Sequence, residues 1–374
     1  MSKKKIAIIH FYPLEFFPPI TNLLDYLYAK TTEFKVLVFT THNNKNRKVY
    51  QQKNIKIRRH FYSLVTDNVL IRILKYGYFN SSTLLQLIVN KPHVIIYYET
   101  ISSWPVYMYS KYFNNKCKIF IHFHEYASLE WYSKYMKLVK YYHKLEVNYL
   151  YSKAIWISQT NSYRLKMYLN DNPKINPKKL KVLPNYPPKN WKIENVSPSR
   201  KSEVINIIYI GSLSFEGTYI HEFCNWINSQ QNVVFDVYSY NIHEDVKLFL
   251  NRINSENINF YEKGIDYQDI PDLLKKYDIG VILHKAYNEN YKYNATNKLF
   301  EYLICDLDVW FPNEMLGCQE YSNSNTWPRV IGLDFNNLKR FKAELDFDRA
   351  NLNYKPKHFY SEDAFEELYN SLSR

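Results

Sequence analysis

One stretch of the sequence combines a cation, a carboxylate and a polar loop at the spacing of a binding site. The apolar run 278–283 ends in His284-Lys285, a loop rich in Tyr and Asn follows, and 297–303 then opens a predicted helix. The N–H groups and dipole at a helix start attract anions, and a carboxylate can accept hydrogen bonds from both hydroxyls of a ribose. The stretch therefore predicts a nucleoside diphosphate site with Lys298 and Glu301 as its charged groups. A surface helix that begins with Lys and Glu by chance is the alternative.

A second candidate is Gly211, which follows the strand-like run 205–210. Glycine lets the backbone come close to a ligand, and the N–H groups of the residues beside it can then point at a phosphate. An ordinary glycine at a strand end is the alternative.

A third candidate is the segment Ile121-His122-Phe123-His124-Glu125. Residues 122 and 124 share one face of a strand, and three interpretations follow. The segment could begin a metal site, although no further ligand cluster is evident in the sequence. It could hold buried, hydrogen-bonded histidines, or it could place His124 and the adjacent Glu125 at an active site.

Alternating apolar runs and helical patterns predict the elements that position these residues. Strands are predicted at 5–10, 34–40, 93–98, 118–122 and 154–158, and again at 205–211, 233–239, 257–261 and 278–284. Helices are predicted near 19–30, 69–90, 103–113, 129–151, 218–229, 243–254, 268–276, 296–304 and 360–373. Such alternation indicates mostly parallel sheets covered on both faces. We expect an α/β protein of two Rossmann-like domains facing across a cleft.

A proline-rich segment near 172–201 indicates where the two domains join. The expected bounds are 1–190 for a basic first domain, 203–355 for the second, and 356–374 for a C-terminal helix that crosses back onto the first. The sequence of 374 residues is long enough for two cores.

Charge divides the chain in the same place. Residues 1–190 carry 30 Lys and Arg against 9 Asp and Glu, a net +21, whereas residues 191–374 carry 19 against 27, a net −8. Four scattered cysteines predict reduced, buried thiols. The apolar start of the chain is too short for a signal peptide, and no run is long enough to span a bilayer. We expect a cytosolic or peripheral membrane protein.

Several segments, in this order, resemble landmarks of retaining GT-B glycosyltransferases, particularly the large family 4-like group that makes bacterial surface polysaccharides. They are 121–125, Leu145-Glu146, 152–158, 182–185, 209–213 and 297–302. The resemblance implies the GT-B fold and transfer of a hexose, without a metal or other cofactor, from a UDP- or GDP-linked sugar to a glycan or lipid-linked acceptor. It also implies retention at the anomeric carbon, in which the leaving phosphate takes the acceptor's proton.

The resemblance assigns roles to particular positions. The implied catalytic residues are His124, Glu125 and Lys298, with His10 either lining the acceptor side or serving as a core histidine. The implied donor-binding residues are Gly211, Ser212, Lys285, Asn294, Asn297, Lys298, Leu299 and Glu301, of which Glu301 would bind the ribose.

The chain departs from the family pattern at three positions. Ser212 and Glu216 stand where many relatives carry cations that clamp the pyrophosphate, and Tyr293 stands where they often carry a second Glu. Positive charge must then come from Lys298, Lys285 or His284, and contacts to the donor sugar from Asn290, Asn294 or Glu289. A binding or scaffold subunit with weak or lost activity is the alternative function.

The predicted helix 129–151 carries lysines at helical spacing, at positions 134, 137, 140 and 144, flanked by Trp and Tyr. Such a stripe suits an anionic membrane surface, and a solvated helix face is the alternative. With the charge of the first domain, it predicts a cytoplasmic protein bound to the inner face of the cell membrane. No nucleic-acid-binding motif accompanies the charge.

Overall fold

The computed structural model describes residues 3–30, 33–42, 48–62, 68–134, 137–192, 204–253, 255–341 and 352–374. The chain forms two compact units. The first comprises Met1–Pro184 together with Ser361–Arg374, and the second comprises Asn185–Tyr360.

The first unit is built on a parallel sheet of seven strands in the order β3-β2-β1-β4-β5-β6-β7. Their bounds are β1 Lys4–His10, β2 Phe34–His42, β3 Ile55–Tyr62, β4 Val94–Tyr98, β5 Lys118–Phe123, β6 Trp156–Gln159 and β7 Leu180–Val182. The central strands are almost entirely apolar because both of their faces are buried.

Helices cover both faces of this sheet. They are α1 Pro18–Lys30, α2 Val69–Asn90, α3 Ser103–Tyr112, α4 Leu129–Lys134, α5 Lys137–Leu145, α6 Tyr151–Lys153 and α7 Ser162–Asp171, with a π-helical turn at Glu146–Leu150. Side chains from α2, α3, α5 and α7 share one core with the sheet. Helix α1 packs on the opposite face.

The second unit contains a parallel sheet in the order β10-β9-β8-β11-β12-β14 and a two-stranded pair, β13 with β15. The strands are β8 Ile205–Ile210, β9 Val233–Tyr238, β10 Ile258–Tyr261, β11 Ile279–Val281, β12 Asp308–Pro312, β13 Thr326–Trp327, β14 Val330–Leu333 and β15 Asn353–Tyr354. The helices are α8 Ile220–Ile227, α9 Glu244–Arg252, α10 Ile270–Leu274, α11 Glu289–Lys292, α12 Asn297–Ile304 and α13 Leu316–Gln319.

The C-terminal helix α14, Ser361–Ser373, belongs to the first unit. Phe365, Leu368 and Leu372 bury their side chains in the core beneath α1. The Tyr26 hydroxyl donates a hydrogen bond to Glu366 at 2.7 Å. The expected return of the terminal helix to the first domain is therefore confirmed.

The predicted strands all appear, but β3, β7, β12, β13, β14 and β15 were not predicted. Strand β3 is an edge strand with Lys56, Arg58 and Arg59, so its polar composition hides it. Strand β12 begins at Asp308, whose carboxylate is buried. A buried charge is not expected in a strand from the sequence pattern, and here the ion pair with Arg329 compensates it.

The predicted helix 129–151 consists of α4, α5 and the π turn, with residues 135 and 136 outside the described part. The units divide at Pro184–Asn185, earlier than the expected 190, because Trp191 is buried in the second core against Tyr267. None of the described helices is long and apolar enough to cross a membrane.

Candidate functional site

The strand orders locate one crevice in each unit. In an open parallel sheet, ligands bind beyond the carboxyl ends of strands where the chain order reverses. That point lies between β1 and β4 in the first unit and between β8 and β11 in the second. Gly211 follows β8, while His284 and Lys285 lie shortly after β11. Three of the predicted positions are thus at the switch point of the second sheet.

Helix α12 starts close to this switch point. The Thr296 side chain caps it by accepting a hydrogen bond from the Leu299 N–H at 3.4 Å. The Tyr302 hydroxyl, one turn further on, accepts a hydrogen bond from Ile210 N at 3.1 Å. A Cβ at Gly280 would lie only 2.2 Å from the Tyr302 ring, so glycine is needed for this packing. Tyr302 therefore fixes α12 against the ends of β8 and β11.

Lys298 and Glu301 form an ion pair with each other. Glu301 is only 2% exposed and Lys298 is 23% exposed, so the carboxylate depends on its partner for charge compensation. The sequence placed both residues on the first turn of this helix but did not predict the pair. In this structure the Lys298 ammonium is held by the Glu301 carboxylate.

The turn after β8 is tight. A Cβ on Gly211 would lie 2.8 Å from the Tyr209 hydroxyl, which donates a hydrogen bond to the Ser212 carbonyl at 2.6 Å. Ser212 and Glu216 are exposed on the loop. The Gly217 N–H donates to Ser214 Oγ at 3.0 Å, which closes the loop.

Lys285 brings a cation to this loop. Its Nζ donates a hydrogen bond to the Phe215 carbonyl at 2.9 Å and lies 3.4 Å from Glu222 Oε1. Its backbone N–H donates to the Gly217 carbonyl at 2.9 Å. The cation that the loop itself lacks is therefore supplied by the chain that follows β11.

The other predicted donor-binding residues lie nearby. Asn297 is the first residue of α12, and Asn294 lies in the turn before it, where its carbonyl accepts a weak hydrogen bond from Cys318 Sγ at 3.5 Å. Both asparagines are partly exposed. Leu299 is completely buried, so only its backbone could contact a donor.

Three histidines meet at the switch point of the first unit. The ring centroids of His122 and His124 lie 4.6 Å apart, and those of His10 and His124 lie 6.2 Å apart. All three side chains are buried, and His124 stacks on Tyr98 at 5.2 Å. Burial, reinforced by repulsion from His124, keeps the pKa of His10 and of His122 well below its usual range. These two imidazoles are neutral at pH 7.

Hydrogen bonds orient two of these rings. Nδ1 of His10 lies 2.7 Å from the Tyr12 carbonyl, and Nδ1 of His122 lies 2.8 Å from Ser158 Oγ. His10 and His122 therefore fit the interpretation of buried, hydrogen-bonded histidines. Among the described residues, no group of three or more His, Cys, Asp and Glu could hold a metal ion.

Glu99, which the sequence reasoning missed, lies beside the histidines. It follows β4 with φ 60°, an uncommon conformation for a residue with a side chain. Its carboxylate accepts a hydrogen bond from His124 N at 2.7 Å. Burial raises the pKa of Glu99 to about 8, against the opposing effect of that hydrogen bond. The sequence signal that could have identified Glu99 is its position, as a polar residue directly after the buried run 94–98.

Glu146 holds the turn that carries Glu99. It is fully buried and accepts hydrogen bonds from Tyr97 Oη at 3.0 Å and from Thr100 Oγ1 at 2.9 Å. Because Tyr97 and Thr100 flank Tyr98 and Glu99, this buried carboxylate fixes the end of β4. A strained backbone at such a position persists only where the surroundings hold it.

Glu125 does not join the histidine cluster. Its side chain is 58% exposed and pairs with buried Arg164 at 3.1 Å. Arg164 Nη1 also donates to the His124 carbonyl at 2.7 Å. The structure thus brings His124 into the cluster, while Glu125 lies at its rim with Arg164 anchoring the segment.

The lysines predicted as a stripe are all exposed, at positions 134, 137, 140 and 144. Lys134 pairs with Glu130. Of the aromatics beside them, Trp131 and Tyr141 are exposed, whereas Tyr132 and Tyr142 pack inward. The four lysines are therefore exposed as predicted, on two helices and not on one, and two of the four described aromatic residues beside them belong to the core.

No protein-family model and no curated protein matches the chain. Solved structures do match it over nearly its whole length. A lipopolysaccharide outer core galactosyltransferase, WaaB, is 14% identical, with 98% of this chain and 99% of that chain covered and a TM-score of 0.62. Anabaena HepE, solved with UDP and glucose, is 12% identical, with 99% of each chain covered and a TM-score of 0.68.

A third similar structure is a putative UDP-N-acetylglucosamine 2-epimerase from Listeria monocytogenes. It is 13% identical, with 100% of this chain and 96% of that chain covered and a TM-score of 0.60. At these identities the likeness concerns the fold. Together with two Rossmann-like units and a terminal helix that returns to the first, it shows that this chain has the GT-B fold.

Proposed function

We propose that the chain is a glycosyltransferase that uses a UDP- or GDP-linked sugar as donor. The observation that carries this proposal is the group of polar residues at the switch point of the second sheet. It joins the tight turn at Gly211, the Lys285 ammonium and the start of α12 with its Lys298–Glu301 pair. A nucleoside diphosphate requires both N–H groups with cations for its phosphates and a carboxylate for its ribose. Structures of similar fold include HepE with UDP-glucose.

In this proposal Glu301 exchanges Lys298 for the ribose hydroxyls when donor binds. The freed Lys298 ammonium then turns to the pyrophosphate, and Lys285 supports the loop that contacts it. Preorganised positive groups stabilise the charge that develops on a leaving nucleoside diphosphate. Gly211, Ser212, Asn294, Asn297 and Leu299 contribute backbone or amide groups, and no metal is required.

The finer proposals concern the acceptor and the stereochemistry. His124, with Glu125 at its rim, contacts the acceptor or the transferred hexose, and the sugar is transferred with retention. The acceptor is a glycan or a lipid-linked glycan of a bacterial surface polysaccharide, either capsule or lipopolysaccharide. Acceptors of this kind agree with a basic first domain and with a cytoplasmic protein on the inner face of the membrane.

A second candidate function is epimerisation of a nucleotide sugar. Glu99 favours it, because a carboxyl group with a pKa of about 8 can both donate and accept a proton near neutral pH. Several structures of similar fold are described as UDP-N-acetylglucosamine 2-epimerases. A catalytically weak scaffold subunit remains the third alternative, supported by Ser212 and Glu216 at the loop.

One assay separates these functions. The protein is incubated with a panel of UDP- and GDP-sugars, with and without a polysaccharide or lipid-linked acceptor. Acceptor-dependent release of nucleoside diphosphate is the expected result. Formation of an isomeric nucleotide sugar without release would favour the epimerase, and donor binding without either product would favour the scaffold.

Variants test the site itself. Lys298→Ala and Glu301→Ala should each reduce turnover at least about tenfold, as loss of a charge-assisted contact predicts. Lys276→Ala, which removes an exposed lysine of the same unit, is the matched control and should leave turnover unchanged. Turnover that survives both site substitutions would reject this assignment of the donor site.

A further inference from the structure

Helix α2 exposes an apolar stripe along its full length. Its inner side buries Phe79, Asn80, Thr83 and Leu87 against the sheet. The opposite side carries five exposed side chains, each 59–73% exposed: Leu70, Leu74, Tyr78, Leu85 and Val89. Intervals of four and seven residues place them on one face. At about 1.5 Å per residue the stripe is roughly 30 Å long.

The first turns of α2 are apolar on nearly every side. Val69, Ile71 and Ile73 are also exposed, in addition to the stripe. A helix on the surface of a globular protein normally turns polar residues to water. A contiguous apolar surface of this kind marks an interaction site.

The charge around this surface indicates what covers it. Helix α2 contains Arg72 and Lys75 and no acidic residue. Asn80 on its inner side donates a hydrogen bond at 2.6 Å to the hydroxyl of Tyr142 on α5, so the two helices are in contact. Helix α5 presents exposed Lys140 and Lys144.

These features together match the surface of an anionic bilayer. Apolar side chains enter the acyl region of an interfacial helix while basic groups nearby meet the headgroups. The exposed Trp131 and Tyr141, on α4 and α5, are of the types that favour the interface. A protein partner would need a surface complementary to both the uncharged stripe and the basic residues around it. An anionic bilayer matches both without a specific fit.

We propose that α2 lies in the plane of an anionic membrane, with Leu70, Leu74, Leu85 and Val89 among the acyl chains and the lysines of α5 at the headgroups. The inference deepens the proposed function by naming the surface through which a lipid-linked acceptor is reached. The lysine stripe predicted from the sequence is then the electrostatic part of this surface, and α2 is its apolar part.

Co-sedimentation of the 374-residue chain with vesicles tests the proposal. Wild type should bind vesicles of phosphatidylglycerol and phosphatidylcholine, and bind phosphatidylcholine alone much more weakly. Leu70→Gln with Leu74→Gln should weaken binding at least about tenfold, and so should Leu85→Gln with Val89→Gln. Leu248→Gln, at an exposed leucine on α9 of the second unit, is the control and should change nothing.

Each result that would contradict the membrane proposal can be told apart from the others. Unchanged vesicle binding in both double variants would overturn the role of α2. If wild type binds no vesicles but forms a dimer by light scattering that Leu70→Gln with Leu74→Gln abolishes, the surface binds a second copy of the chain and the lipid proposal fails. Nucleotide-sugar turnover on soluble acceptors is measured separately, so vesicle binding without any turnover would reject only the proposed function.

Discussion

Breaking the Lys298–Glu301 pair gives the sharpest test of how α12 is built. Lys298→Met keeps most of the side chain's apolar length and leaves the buried Glu301 carboxylate without its cation. Removing one partner of a buried pair costs about 3–5 kcal/mol. Because Lys298 is 23% exposed, water screens part of the charge, and we expect about 3 kcal/mol, at the lower end of that range.

The reverse substitution should cost less. Glu301→Gln leaves a lysine that can turn into water, so we expect a loss of about 1 kcal/mol. In the double variant neither charge is left unpaired, and its destabilisation should fall below the sum of the two single losses by about 2 kcal/mol. For a unit of this size, 3 kcal/mol corresponds to a fall in Tm of roughly 6–12 °C.

Calorimetry of the four proteins, with and without UDP, measures both roles of the pair. Additive single losses would refute the pairing. If Glu301 also binds ribose, UDP should raise the Tm of wild type much more than that of Glu301→Gln. An equal rise in both proteins would refute ribose binding while leaving the structural role intact.

Two further predictions concern packing and pH. Gly280→Ala should destabilise the second unit by about 1–3 kcal/mol, because its Cβ would meet the Tyr302 ring. Gly77→Ala, where a Cβ has open space within α2, should instead stabilise by up to about 1 kcal/mol, and urea unfolding compares the two. Because the pKa of Glu99 is raised to about 8, the native state binds more protons than the unfolded state between pH 4.5 and 8. As the pH rises, the free energy of unfolding of wild type should therefore fall relative to that of Glu99→Gln, by up to about 1.4 kcal/mol per pH unit. If the free energies of unfolding of the two proteins change in parallel from pH 5 to 9, this prediction is wrong.

Local patterns in the sequence predicted several helices well, including the one that begins at the proposed donor site. Helix α2 begins and ends where its periodicity indicates, and α12 starts at Asn297, where a threonine cap precedes an apolar helical pattern. Strand–helix alternation was enough to predict two parallel α/β domains. These features depend on residues close in sequence, whose spacing is visible without a structure.

Edge strands and buried charges were less visible. Strand β3 has a polar composition because, within the described part of the chain, one of its edges pairs with no other strand. Strand β12 begins with a buried aspartate whose charge is compensated by Arg329, twenty-one residues further along the chain. In the first unit, the sequence placed His122 and His124 on one strand face, but it did not bring His10 to them. Neither the approach of His10 to His124 nor the hydrogen bonds of Glu146 to Tyr97 and Thr100 have a local signature.

The amino-acid order alone thus specified where many of the helices and strands begin, that α12 carries a cation and a carboxylate, and that the first half of the chain is strongly basic. Tertiary structure decided which of these groups meet. Strand order brings Glu99 to His124, and it brings Lys285 to the loop at Phe215, seventy residues earlier. It also turned the apolar stripe of α2 outward. Burial sets the pKa of Glu99 and exposure defines the surface of α2, and both depend on neighbours that lie far apart in the sequence.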